Sequence, residues 1–173
     1  EDTLYAGGPY QQVNPEAQSY LGEVRALLFA ERYAEAEALA NRHLMSVPIK
    51  QMPYQPAVDL LIDIAEAGAA TGYRRALDLD TALASTRFSL GGVVVEREVF
   101  ASAVDGVLVV RITASAPLAE LRLSLAALHQ GSFSLPASNV LRFAGRNRAA
   151  EGIEGRLRFV AEARVRTDGT IAA

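Results

Sequence analysis

Alternation of apolar and polar side chains is strongest between Leu77 and Thr113, LDLDTALASTRFSLGGVVVEREVFASAVDGVLVVRIT. Ala84, Thr86, Phe88 and Leu90 fall on one face there while Ser85, Arg87 and Ser89 fall on the other, the period-2 pattern of a half-buried strand. Gly91-Gly92 follows, a dipeptide that tolerates the positive φ of a two-residue hairpin loop, and the β-branched run Val93-Val94-Val95 comes directly after it. Asp105-Gly106 marks a second turn, beyond which Leu108, Val110 and Ile112 alternate with Val109, Arg111 and Thr113. Three consecutive stretches therefore read as one antiparallel meander with a core face and a wetter face.

Weaker patterns flank this meander. Glu1 to Val13 has neither period, and Gly7-Gly8-Pro9 punctuates it as a turn beside Tyr5 and Tyr10. Asn14-Pro15 opens a helix: Asn suits the N-cap, Pro the first turn, and Glu16 the positive end of the dipole. Tyr20, Val24, Leu27 and Leu28 make its apolar stripe, and ERYAEAEALANRHL continues as a second helix that ends at Ser46-Val47-Pro48. The pair looks like one unit of a tetratricopeptide array, yet no second copy appears at a spacing near ~34 residues, which favours a helical hairpin packed on the sheet. KQMPYQP, Lys50 to Pro56, reads as extended, because residues before proline are biased away from helix. Leu60 to Ile64 fits a strand or a short buried helix.

Past the meander, Leu121, Leu123 and Leu125 alternate with Arg122 and Ser124, whereas Ala127 to Ser138 reads as looser chain. Val140 to Phe143 is a short strand, Gly145 to Gly155 a polar loop, and Leu157 to Val165 a clear alternation with arginines on its wet face. Asp168-Gly169 is a turn close to the end of the sequence, as if a larger protein had been cut there. The expected fold is thus mainly β: an antiparallel β-sandwich of the super-sandwich type, truncated, with a helical hairpin at about 15–45 inserted near the N-terminus and strands over about 58–173.

Composition narrows the function classes. With 173 residues, half of them hydrophobic and 21% charged, the chain suits one globular domain. A net charge of −3 argues against a nucleic-acid partner, which needs a basic surface. No run approaches ~18 apolar residues, so no membrane partner is expected. Cysteine is absent, which excludes disulfides and thiolate chemistry without naming a compartment.

The candidate chemistry is thin. Asp78 and Asp80, two apart on a strand, would lie about 6.6 Å apart on one face, within the roughly 6.5–9.5 Å of an inverting acid/base pair. Side chains pointing the same way cannot flank a scissile bond from opposite sides, so a solvated face is the better reading. His43 and His129 have no neighbours at metal-ligand spacing, and His43, near the end of its helix, suits the dipole or a carbonyl cap. No nucleophile elbow, phosphate loop or dinucleotide fingerprint occurs. The arginine face near the C-terminus, with Arg142, Arg146 and Arg148 nearby, is interleaved with Glu151, Glu154 and Glu162 and reads as a mixed solvated face. No catalytic residue, metal ligand or cofactor is expected within these residues.

Five segments in register carry a resemblance: EDTLYAGGP at Glu1 to Pro9, EVRALLFAERYAEAEALANRHLM at Glu23 to Met45, QMPYQP at Gln51 to Pro56, YRRALDLDTALA at Tyr73 to Ala84, and REVFAS at Arg97 to Ser102. Together they resemble the N-terminal domain of α-L-fucosidases of glycoside hydrolase family 95. The resemblance implies a domain, 1–173, that is most of a β-sandwich preceding an absent (α/α)6 catalytic barrel. It implies a parent glycoside hydrolase acting by metal-free inversion on terminal α-L-fucosides or the related galactosides, with this fragment inactive alone. The implied partners are that barrel and a fucosylated oligosaccharide; the implied location is the periplasm or outside the cell. The family's acid, base and helper asparagines lie in the barrel, so none is carried onto this chain. Tyr5 stands where the family usually has tryptophan, Ala57-Val58 replaces a common Leu-Gly, and the first motif begins partway through. Tyr5, Gln51, Tyr54 and Gln55 are implied to lie at the domain interface or the rim of the sugar pocket. Two readings stay open beside this: these four residues only brace the sandwich, or the sandwich is a stand-alone carbohydrate-binding or protein-interaction module.

Overall fold

A computed structural model of the chain describes residues 4–65 and 68–172. Glu1 to Thr3 of the opening motif, Glu66, Ala67 and Ala173 lie outside the described residues. The chain is mainly β, 43% strand and 14% helix, and the described residues form three antiparallel sheets and two helices. It divides into two compact units, Glu1–Asp59 with Leu125–Ala173, and Leu60–Ser124.

The second unit holds the meander. Strands β2 (Thr71–Asp78), β3 (Leu83–Leu90), β4 (Val93–Ser102) and β5 (Val107–Ala114) form one sheet in sequence order. The pair β1 (Asp59–Ile64) and β6 (Leu121–Ala126) forms a two-stranded ladder. Leu60 to Ile64 thus resolves as strand. The register sets Phe88 against Val95, Thr86 against Arg97 and Arg97 against Ile112, so the apolar positions of three strands meet on one face. Val95 in the middle is only 1% exposed. On the opposite face, cross-strand charges pair, Arg87 with Glu96 and Arg111 with Glu98. Such exposed pairs set register more than they stabilise. Gly91 and Gly92 both have positive φ, as a two-residue hairpin loop between β3 and β4 requires.

The strand β2 begins well before the expected meander, and the LDLD segment is not one strand. Asp78 is the last residue of β2, and its Oδ1 accepts hydrogen bonds from the backbone N–H groups of Asp80 (2.9 Å) and Thr81 (3.3 Å). This Asx turn, not a shared strand face, fixes the two aspartates.

In the first unit the helical hairpin is α1 (Ala17–Phe29) and α2 (Tyr33–His43). Its start differs from expectation. Glu16 occupies the N-cap without a side-chain bond, while Asn14 Oδ1 accepts from Glu16 N in an Asx turn. The Asn14 amide nitrogen instead donates to the carbonyls of His43 (2.7 Å) and Met45 (3.1 Å), so it clasps the far end of α2. The ring of His43 stacks on Tyr20 at a centroid distance of 3.7 Å, with its Nδ1 3.8 Å from Glu16 Oε2.

The same unit contains a three-stranded sheet, β7 (Gln130–Ala137), β8 (Val140–Arg146) and β9 (Arg158–Arg164). The strand β7 falls where the sequence suggested loose chain; every one of its residues is exposed, and Ser, Gly and Pro interrupt the apolar positions Phe133 and Leu135. Phe143, 1% exposed, is the centre of this unit's core and packs between Phe133 (4.8 Å) and Phe159 (5.8 Å). Gly131 and Gly145 pair across β7 and β8, and a Cβ on either would come within 2.6 Å of the Phe143 ring. The paired glycines exist because that ring lies across them.

Candidate functional site

The opening motif and the QMPYQP segment come together as two short antiparallel stretches. Tyr5 bridges Tyr54, Ala6 N donates to Pro53 O and Gln55 N donates to Leu4 O, both at 2.9 Å. Leu4 and Ala6 on either side of Tyr5, and Gln55 next to Tyr54, are buried, which leaves both tyrosines outward by the ordinary strand alternation. The rings of Tyr5 and Tyr54 meet edge to face, with centroids 5.3 Å apart, and both remain about half exposed. An edge-to-face pair holds both rings in place while one face of the pair is available to solvent.

Beneath the tyrosines lies a polar clasp that the sequence did not announce. Asn147, 3% exposed, donates from Nδ2 to the carbonyl oxygens of Tyr5 and of Gly7 (2.7 Å), and its Oδ1 accepts from Leu157 N (3.0 Å). Gly7 N donates to Arg148 O at 2.7 Å, and Arg156 N donates to Gly7 O at 3.2 Å. Gln55 is also buried, and its Oε1 accepts from Arg148 N at 3.2 Å. Each buried amide is thereby satisfied by backbone far away in sequence. Gly155 sits against the clasp, where a Cβ would lie 2.0 Å from Asn147 O.

Of the four candidate residues, Tyr5, Tyr54 and Gln55 therefore belong to one assembly. Tyr5 and Tyr54 form its exposed edge, and Gln55 is one of its internal braces. Gln51 is exposed at the start of the same segment. Asn147 was missed because its partners lie up to 142 residues away, and no local pattern marks an asparagine inside a polar loop.

The titratable groups of Asp78, Glu162 and His129 are engaged singly or in ion pairs. Among the described residues no group of three or more His, Cys, Asp or Glu side chains could hold a metal ion. Asp78 is engaged by backbone N–H groups; those of Thr81 and Asp80 hold its carboxyl below the usual range. Glu162 is spoken for by Arg142 (2.9 Å) and Arg164 (3.2 Å), which hold it low in the same way. That confirms the mixed character of the arginine face. His129 is buried, with Nε2 2.6 Å from Pro56 O and its ring edge to face with Phe159. The acceptor-only carbonyl makes Nε2 the donor, a structural anchor of the QMPYQP segment.

The described residues thus make antiparallel sheets, a helical hairpin and a braced aromatic edge, an arrangement that by itself names no chemistry. The match to known proteins makes this specific. Residues 1–173 match the family model described as Glycosyl hydrolase family 65, N-terminal domain, and the chain belongs to that family. That family lies in a group with the family 95-like glycosidases, so the resemblance drawn from the motifs holds. The chain is 37% identical over 123 residues to an Arabidopsis thaliana protein named alpha-L-fucosidase 2, covering 68% of this chain and 14% of that protein. It is 32% identical over 146 residues to a probable alpha-fucosidase A of Aspergillus niger, covering 80% of this chain and 17% of that protein. The chain thus spans well under a fifth of the length of these curated relatives.

Proposed function

We propose that this chain is the N-terminal, non-catalytic domain of an inverting exo-glycosidase that releases terminal α-L-fucose, and that it packs against and partly walls a catalytic (α/α)6 barrel. The observation that carries this reading is the family match along the whole chain together with identity to two fucosidases over most of it. The absence of any opposed carboxylate pair among the described residues agrees with a scaffold role. Asp78, the best acid candidate, spends its oxygen on a turn.

In this reading Tyr5 and Tyr54 contribute to the domain interface or the rim of the sugar pocket, with Gln51 beside them. Their rings are exposed while their backbone is locked by Asn147 and Gln55, which suits a surface held ready for a second body. Export to the periplasm or beyond belongs to the same reading. The test is fucose release from a fucosylated oligosaccharide: the full-length protein should release it and the 173-residue chain should not.

The exposed tyrosine edge favours one second reading, a self-sufficient carbohydrate-binding module, because aromatic faces stack on sugars. Saturable binding of a fucosylated oligosaccharide by the 173-residue chain, lost in Tyr5→Ala, would select that reading.

A further inference from the structure

Arg97 is a charged residue set on an apolar face. It lies mid-strand in β4, opposite Thr86 on one side and Ile112 on the other, on the same face as Phe88, Leu90 and Val95. Thr86 and Val95 are buried, so this is the core face of the sheet. Together with Ile62 and Ile64 of β1, these side chains line a cavity of ≈ 180 Å³ that opens to solvent. Arg97 is the only charged residue of that lining. Arg97 is half-buried and makes no hydrogen bond or ion pair among the described residues. The arginines of the opposite face behave otherwise, since Arg87 and Arg111 each meet a glutamate on the neighbouring strand.

An arginine on a core face without an anion beside it is a costly arrangement, and a well-packed apolar residue would serve a plain core better. The cavity is larger than the ~150 Å³ that holds a benzene-sized body in an apolar core. Charge and volume together suit one kind of occupant, a carboxylate carried on an apolar stem. The relatives extend far beyond the 14% and 17% of their length that this chain spans, so an abundant source of such groups is the remaining polypeptide.

We propose that the Arg97 cavity is a socket that receives a glutamate or aspartate, with adjoining apolar side chains, from polypeptide of the full-length protein outside these 173 residues. This rests on the reading that the chain is one domain of a longer glycosidase. The socket closes the core face of the sheet, and the buried ion pair fixes where the incoming segment sits, a registry role for which a desolvated pair is well suited.

The test uses the full-length protein and substitutions at Arg97. Where a carboxylate is paired in the socket, Arg97→Leu strands it, and the melting temperature should fall by about 5 °C or more while Arg97→Lys, which keeps the charge, loses less. An unpaired arginine would respond in the opposite sense, so an unchanged or raised melting temperature in Arg97→Leu overturns the proposal. Phenylglyoxal labelling read by mass spectrometry supplies a second readout on the wild-type protein. Arg97 should be protected relative to the exposed Arg75, and equal labelling overturns the socket. Fucose release assayed on the same sample reports separately on the glycosidase reading, so the two can fail independently.

Discussion

The side-chain amide of Asn147 spans the backbone of the opening motif, donating to the carbonyl of Tyr5 and to that of Gly7 two residues on. One residue of a C-terminal loop thus holds the strand that presents the tyrosine edge. Asn147→Ala would leave the Tyr5 carbonyl and the Leu157 N–H without their partner and the Gly7 carbonyl with Arg156 N alone, at a cost of roughly 2–4 kcal/mol. Asn147→Asp should be at least as damaging, since a carboxylate would face two carbonyl oxygens. Denaturant unfolding of the 173-residue chain measures both, and Asn147→Ala within 0.5 kcal/mol of wild type, a rough threshold for a surface change, would remove the clasp from the account.

Two glycines should respond to alanine with opposite signs. At Gly155 a Cβ meets Asn147 O at 2.0 Å, so Gly155→Ala must displace the clasp and should destabilise by more than about 2 kcal/mol. Gly22 is inside α1 with nothing within 4 Å of a Cβ, and Gly22→Ala should stabilise by about 0.5–1 kcal/mol through helix propensity. Paired melting curves of the two variants check both signs.

Acid should act through carboxylates held low by their partners. Thr81 and Asp80 N–H groups lower Asp78 from its ordinary 3.8, and Arg142, then Arg164, lower Glu162 from its ordinary 4.5. A depressed folded-state value means that the stabilising contribution is complete above the unfolded value and is lost as pH falls through the folded one. The chain should therefore lose stability below about pH 4, and Asp78→Asn with Glu162→Gln should flatten that part of the profile. Melting temperature against pH, from neutral to strongly acidic, is the measurement; an unaltered acid limb in the double variant would contradict it.

The meander was legible because its residues alternate strictly and its turns carry glycine where positive φ is needed, at Gly91, Gly92 and Gly106. The strand β7 was illegible for the opposite reason. Its Ser, Gly and Pro residues read as loop, and all eight positions are exposed, so pairing with β8 and not burial makes it a strand. The strand β2 is likewise exposed at every position. Asn14 looked like a helix cap from its neighbours, yet its amide is claimed by His43 and Met45, which only the hairpin brings near. Among the candidate site residues, Tyr5, Tyr54 and Gln55 came from the resemblance, and the structure sets their two segments side by side. Asn147 and the inward setting of Arg97 emerge only when distant strands are brought into register.

The tyrosine edge has its own prediction. Tyr5→Ala and Tyr54→Ala remove half-exposed rings and leave the backbone clasp intact, so the fold should survive with a modest loss of about 1 kcal/mol each. If the full-length protein is the proposed glycosidase, the same changes should weaken its substrate turnover or domain packing. Steady-state kinetics beside a melting curve distinguishes the two, and variants neutral in both would remove these residues from the interface and the rim.

The central claim is that these residues form a scaffold whose bond-breaking groups belong to other parts of the protein. Its most direct measurement is fucose liberated from a fucosylated trisaccharide by equal molar amounts of the full-length protein and the 173-residue chain. The account predicts turnover by the former and none by the latter; hydrolysis catalysed by the 173-residue chain alone would contradict it.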